Sequence, residues 1–366
     1  MIKVLTIFGT RPEAIKMCPV VLEMRKHSEI ENRVCITGQH REMLHPVLKA
    51  FDVTPDIDLD LMRPNQTLSM ITEDVLEKVG TIIDEYSPDI VLVHGDTTTA
   101  FASALASFYR KIPVGHIEAG LRTNNIFSPF PEEFNRKSID MVSEVFFAPT
   151  ELTKNNLLKE GINSKKIVVT GNTVIDAMSI TVDDSYIDEN IEWANGSKLI
   201  LLTAHRRENI GVPMQRMFAA VKRIVEEFED VKCIYPVHMN PKVRSIAREV
   251  LNDDARIRLI EPLDVVQFHN YINNSYLVLT DSGGIQEEAP SLNKPVLVMR
   301  ETTERPEGIE AGTLKLVGTE EDSIFNAVKE LLVDKNIYNK MSTAPNPYGD
   351  GHASERIVAE IIRRFG

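Results

Sequence analysis

The segment 94–123, HGDTTTAFASALASFYRKIPVGHIEAGLRT, carries two carboxylates in matching places. Asp96 follows one short apolar strand and Glu118 ends the next. Each has a histidine two residues before it, His94 and His116. The stretch between the strands is small and apolar with helical spacing, and Thr97 or Thr98 fits its N-cap. In a parallel sheet the C-terminal strand ends line one edge, and ligands bind in the crevice there. Two carboxylates converging on that edge are what proton-transfer chemistry needs. Singly, Asp96 reads as a helix cap and Glu118 as a solvated loop residue. The repetition at adjacent strand ends favours a site.

Further motifs fall at other strand ends. GTRPEAIKM (9–17) puts Arg11 beside a helix N-terminus and Lys16 one turn in, where anions are attracted, although an ordinary capped helix reads the same way. SPFPEEFNRK (128–137) places Glu132 and Glu133 in a first helical turn. Acidic residues are favoured there for stability alone, so a site role needs one of them to turn inward. TAHRRENIG (203–211) leaves His205 and two arginines on a crevice edge, and YPVHMNP (235–241) repeats the placement with His238. No metal-ligand spacing such as H-E-x-x-H occurs. TDSGGIQEEA (280–289) is the most specific nucleotide signal. Gly283 and Gly284 make an anion cradle at a helix start, and Glu288 can accept hydrogen bonds from ribose hydroxyls. Arg305, in the loop 300–308, can reach the same anion.

The elements that must position these residues alternate as strand and helix. Strands are expected at 4–8, 34–37, 90–94, 114–117, 145–148 and 167–170, then at 199–203, 232–236, 257–260, 277–280 and 296–299. That is the βαβ signature of parallel sheets covered on both faces. The chain divides into an N-terminal Rossmann-like domain, 1–171, and a C-terminal one, 172–352, with a final helix at 353–366 packing back on the first. The length of 366 residues fits two cores. The net charge of -13 argues against nucleic acid as the main partner. The three scattered cysteines suit a reducing cytoplasm. The first apolar run is too short for a signal peptide, and nothing reaches the length of a membrane span.

GTRPEAIKM, GQHREML, HGDTTT, GHIEAGLRT, PEEFNR, TAHRREN, YPVHMNP and DSGGIQEEA occur in this order. With them nearly the whole chain resembles the non-hydrolysing UDP-N-acetylglucosamine 2-epimerases. The resemblance implies an α/β GT-B fold, two doubly wound Rossmann-like domains facing a central cleft. It also implies reversible conversion of UDP-N-acetylglucosamine to UDP-N-acetylmannosamine, serving cell-surface polysaccharide biosynthesis. The route it implies is elimination of UDP to 2-acetamidoglucal and re-addition, without metal or nicotinamide. By motif, Asp96, Glu118, Glu132 and His205 match catalytic positions. Arg11, Lys16, Phe268, Ser282, Gly283, Gly284, Glu288 and Arg305 match UDP-binding positions. Gln39, His40, Arg206 and His238 match an activator site of some members. Glu42 and Asn65 depart from those members, which carry Gln and Arg there. A homodimer is usual for the resemblance. The competing readings are an epimerase for a diacetamido-uronic acid, a hydrolysing epimerase, a glycosyltransferase of the same fold, and a UDP-sugar sensor without turnover.

Overall fold

The computed structural model describes residues 1–38, 41–61, 63, 65–252 and 254–366. The chain forms two compact units, Met1–Ile180 with Tyr348–Gly366, and Thr181–Pro347.

The first unit holds a seven-stranded sheet: β1 (Ile2–Phe8), β2 (Ile30–Ile36), β3 (Ile57–Asp58), β4 (Ile90–His94), β5 (Val114–Ile117), β6 (Val145–Ala148) and β7 (Ile167–Val169). Every recorded pairing is parallel, in the order β3-β2-β1-β4-β5-β6-β7. Strands β4, β5 and β6 are buried at every residue. Continuous apolar runs of this kind belong to sheets with helices on both faces. Helix Thr98–Tyr109 follows β4, and Ala100, Ala102, Ala104 and Ala106 are all fully buried in it. Residues this small let it press between helices Leu68–Tyr86 and Glu132–Val142.

The second unit holds β8 (Lys198–Thr203), β9 (Val231–Pro236), β10 (Ile257–Ile260), β11 (Leu277–Thr280), β12 (Val296–Val298) and β13 (Leu314–Leu316), again all parallel, ordered β10-β9-β8-β11-β12-β13. Its core gathers Ile200, Leu202, Phe218, Tyr235 and Leu279. Strand order reverses between β1 and β4 in one sheet and between β8 and β11 in the other. Such reversals open the crevice in which open α/β sheets bind ligands.

The division between units falls later than the sequence suggests. Residues 172–180 belong to the first unit. Val174, Ile175 and Tyr348 bury one another, and the N–H of Asn172 donates to the Tyr348 carbonyl at 2.7 Å. The chain crosses back so closely that a Cβ on Gly171 would lie 3.2 Å from the Cα of Gly349. The last helix, Ala353–Phe365, packs on helix Arg11–Met24 of the same unit.

Candidate active site

Asp96 and Glu118 follow neighbouring strands, β4 and β5. Thr97, not Asp96, caps the helix after β4, its hydroxyl accepting from the Ala100 N–H at 3.0 Å. The Asp96 side chain is thereby left for other work, and it pairs with Arg136. The Asp96 carbonyl accepts from the Asn135 amide at 2.9 Å. Glu118 stands in the left-handed region at φ 67, a costly place for a residue with a Cβ. Its Oε1 pairs with Lys16 and lies 3.4 Å from the Asn172 amide nitrogen. So each carboxylate has its own cation, and both stand beside the β1/β4 reversal.

Carboxylates and histidines behind them hold the turns in place. Glu13 is buried and accepts from the N–H groups of Gly9 (3.0 Å) and Thr10 (2.8 Å) and from the Thr97 hydroxyl (2.7 Å). It ties the end of β1 to the end of β4, and burial raises its pKa although these donors oppose the rise. His116, fully buried on β5, meets the Gly95 carbonyl at 2.7 Å and Asp140 at 2.6 Å. Asp140 also accepts from Arg122 at 2.6 Å. Burial alone would raise the Asp140 pKa, but His116 and Arg122 overcome it and hold the group ionised.

Of the acidic pair in the 128–137 motif, Glu133 turns inward. It accepts from the N–H groups of Thr123 and Asn124, both at 3.0 Å, and pairs with Arg136 at 2.9 Å. The side chain of Glu132, half-buried at the helix start, makes no hydrogen bond or ion pair among the described residues. Arg11 is half-buried in the first turn after β1.

The second unit brings two cations to the glycine turn at the β8/β11 reversal. Asp281, fully buried after β11, accepts from the N–H groups of His205 (3.0 Å) and Arg206 (2.9 Å) and from the Asn209 amide (3.1 Å). That fixes the loop after β8. The His205 ring stacks on His238, with centroids 5.5 Å apart. Its outer face is exposed, while crowding by protein first, and then His238 and Arg206, lower its pKa against the pull of Asp281. Beyond Asp281, a Cβ on Gly283 would lie 3.6 Å from an Arg206 nitrogen and 3.7 Å from the Arg305 guanidinium carbon. Two guanidinium groups therefore overhang one glycine. Glu287 orients Arg305 at 2.8 Å. The helix expected after the glycines is only Ile285–Glu288 before a 3-10 turn, Ala289–Leu292, so its dipole is small and the cations dominate. Glu288 lies 3.9 Å from His269, whose neighbour Phe268 is half-buried on helix Val265–Asn274.

The structure thus gathers Lys16, Asp96 and Glu118 in one unit, and His205, Arg206, His238, Gly283 and Arg305 in the other. Lys16 meets a carboxylate, where the resemblance had placed it on UDP. Arg206, expected at an activator site, shares the glycine turn with Arg305. Gln39 and His40 lie outside the described residues. Sequence reading gave no site role to Glu13, Asn135, Arg136, Asn172 or Asp281. Among the described residues, no group of three or more His, Cys, Asp or Glu is placed to hold a metal.

Two all-parallel, doubly wound sheets, each with one reversal of strand order, define an α/β protein of the GT-B class, the fold of its close structural neighbours. The profile of the UDP-N-acetylglucosamine 2-epimerase family matches residues 22–362. The chain is 57% identical over 365 residues to UDP-N-acetylglucosamine 2-epimerase of Bacillus subtilis (strain 168), covering 100% of this chain and 96% of that protein. It superposes with TM-score 0.96 on the crystal structure of a putative UDP-N-acetylglucosamine 2-epimerase from Listeria monocytogenes, at 54% identity and 100% and 96% coverage. With the Neisseria meningitidis UDP-GlcNAc 2-epimerase bound to UDP-GlcNAc, the TM-score is 0.90 at 49% identity, covering 99% of this chain and 100% of that one. This chain belongs to the UDP-N-acetylglucosamine 2-epimerase family.

Proposed function

We propose that this protein interconverts UDP-N-acetylglucosamine and UDP-N-acetylmannosamine by inverting C2 of the sugar. The observation that carries the reading is the pair Asp96 and Glu118, ending neighbouring strands and each held by its own cation, in a chain of this family. The diphosphate is assigned to the Ser282–Gly284 turn with Arg206 and Arg305, the ribose to Glu288, and the uracil to the side of Phe268. His205 adds a donor for the same anion, and Arg11 is assigned to phosphate by its place in the first turn after β1.

The C2 proton is barely acidic, and direct removal leaves a poorly stabilised carbanion. Loss of UDP together with that proton avoids it. The C2–H and C1–O bonds break, a C1–C2 double bond forms, and the bonding pair of C1–O leaves with UDP. Re-addition reverses these changes with protonation on the opposite face, so atoms and electrons balance without an oxidant. Cations and N–H groups stabilise the departing diphosphate. One of Asp96, Glu118 and Glu132 takes the proton, and another returns one. UDP and sugar stay joined in the product, which makes the enzyme non-hydrolysing.

We also propose that it works in the cytoplasm as a homodimer, supplying cell-surface polysaccharide synthesis. Cys18, Cys35 and Cys233 are all unpaired and buried, as a reducing compartment allows. Among the described residues, no helix is long and apolar enough to cross a membrane.

Proton NMR of the purified protein with UDP-N-acetylglucosamine and EDTA tests the activity. UDP-N-acetylmannosamine should appear without free sugar. Free N-acetylmannosamine with UDP would mark a hydrolysing enzyme, and no turnover would sink the reading. Oxygen-18 placed in the C1–O–P bridge should scramble into non-bridging phosphate positions. Its retention through many turnovers would exclude elimination.

A further inference from the structure

His94 ends β4 with only 3% of its surface exposed, and its Nε2 has no hydrogen bond among the described residues. A buried polar atom left without a partner is costly and asks what it serves. The atom lies 4.0 Å from Oε2 of Glu118, beyond hydrogen-bond range. The other oxygen of that carboxylate is taken by Lys16 and Asn172. Oε2 also lies beside Gly95, 3.4 Å from where a Cβ on that residue would stand.

The charged and titratable groups facing His94 are Glu118 after β5, Lys16 on helix Arg11–Met24, and His116 on β5. Burial first, then Lys16 and His116, push the imidazole down to about 3 against the pull of Glu118. The ring is therefore neutral near neutral pH, and its approach to Glu118 is not an ion pair. A neutral N–H can bond a carboxyl group whatever its charge. The ion pair between Lys16 and Glu118 lasts only while Glu118 is ionised. Once Glu118 carries a proton, the ion pair is lost, and a movement of about 1 Å would bring Oε2 into range of Nε2.

We propose that His94 is a positioning residue for Glu118, its neutral Nε2–H being the partner the carboxyl group takes up when proton transfer draws it off Lys16. The inference rests on the epimerase reading and goes beyond it by naming what steadies Glu118 in mid-reaction.

Three substitutions and one spectrum test it. A glutamine amide nitrogen reaches about as far from the backbone as Nε2, an asparagine nitrogen stands nearer Nδ1, and phenylalanine keeps the ring shape without a donor. His94→Phe should lower kcat on the order of 10–100-fold, the loss of one hydrogen bond to a charged or polarised group. Its KM for UDP-N-acetylglucosamine should stay within about threefold. His94→Gln should recover most of kcat, and His94→Asn should not. Nitrogen-15 NMR of the wild-type imidazole should show the neutral Nε2–H tautomer from about pH 6 to 8. Unchanged kcat in His94→Phe, a loss confined to KM, equal recovery by Asn and Gln, or a charged or Nδ1–H ring would each overturn the proposal. Should His94→Phe fail to fold, the Gln–Asn contrast and the tautomer decide. A wild-type protein that folds but turns over no UDP-N-acetylglucosamine would sink the epimerase reading instead, and the tautomer would still report on His94 by itself.

Discussion

Asp281 is fully buried, yet the exposed His205 stands where it does because of it. One carboxylate accepts from two backbone N–H groups and the Asn209 amide, so Asp281→Ala leaves several buried donors unpaired at once. The expected cost is about 2–4 kcal/mol in urea unfolding, and turnover should fall with it because the His205 loop loses its anchor. Stability unchanged within error would show that water replaces the carboxylate. The two guanidinium groups over Gly283 carry a second expectation. Arg206→Ala and Arg305→Ala should each weaken UDP binding by about 1.5–3 kcal/mol in calorimetry, the range for a hydrogen bond to a charged group. An Arg206→Ala protein with unchanged UDP affinity would return Arg206 to a separate activator site. Glu288→Ala tests the ribose contact in the same titration, with a loss of about the same size.

The element that closes the first unit is helix Ala353–Phe365, whose own N-cap residue, His352, makes no side-chain cap. Asp176, on a helix far back in the chain, does that work by accepting from the N–H groups of Ala353 (3.2 Å) and Ser354 (2.7 Å). Asp176→Ala should therefore cost about 1 kcal/mol, the usual value of a cap. Burial raises the Asp176 pKa despite these bonds. A carboxyl group whose folded pKa is raised contributes stability that is fully present below its unfolded pKa and is lost as pH rises through the folded value. The wild type should accordingly gain on Asp176→Asn as pH is lowered from neutrality toward about 4, where an ordinary aspartate titrates. Melting temperatures that diverge the other way would contradict the raised pKa. This distant cap also shows what sequence reading reaches. Strands at 90–94, 114–117, 145–148, 257–260 and 277–280 have the bounds expected, because an apolar run of four or five residues between turns is a strong local signal. Strands β3 and β13 span two and three residues, too few for any period, and both sit at sheet edges. Helix Arg41–Ala50 went unread because Pro46 interrupts its pattern. Asp96 and Glu118 were legible because each closes a strand. Arg136 and Asn172 were not, since they reach those carboxylates from 40 and 54 residues away.

For the molecule as a whole, the sharpest question is what covers the outer helices of the first unit. Phe101 and Phe108 lie seven residues apart on helix Thr98–Tyr109, and Phe134 and Met141 do the same on helix Glu132–Val142, so each pair shares a helix face. The two faces meet where Phe101 and Phe134 pack edge to face at 5.7 Å. Phe134 is 47% exposed and Met141 83%. Beside them runs a groove of about 690 Å³ lined by Leu68, Leu76, Phe101, Phe130 and Phe134. An apolar surface of this kind is a candidate interaction site, and it is where the homodimer proposed above would be tested first. Two copies each bearing a net charge of -13 repel one another, so apolar burial must outweigh that repulsion. Added salt screens the repulsion and leaves the apolar contribution in place. The wild type should therefore sediment as a dimer whose dissociation constant falls as sodium chloride rises. Phe134→Lys with Met141→Glu should sediment as a monomer while circular dichroism stays native, because Met141 is largely exposed and Phe134 about half exposed within one chain. A monomeric wild type at micromolar concentration, or a double variant that still dimerises, would place the homodimer elsewhere or remove it. If dimerisation is lost and UDP binding is kept, the nucleotide site is complete within one chain.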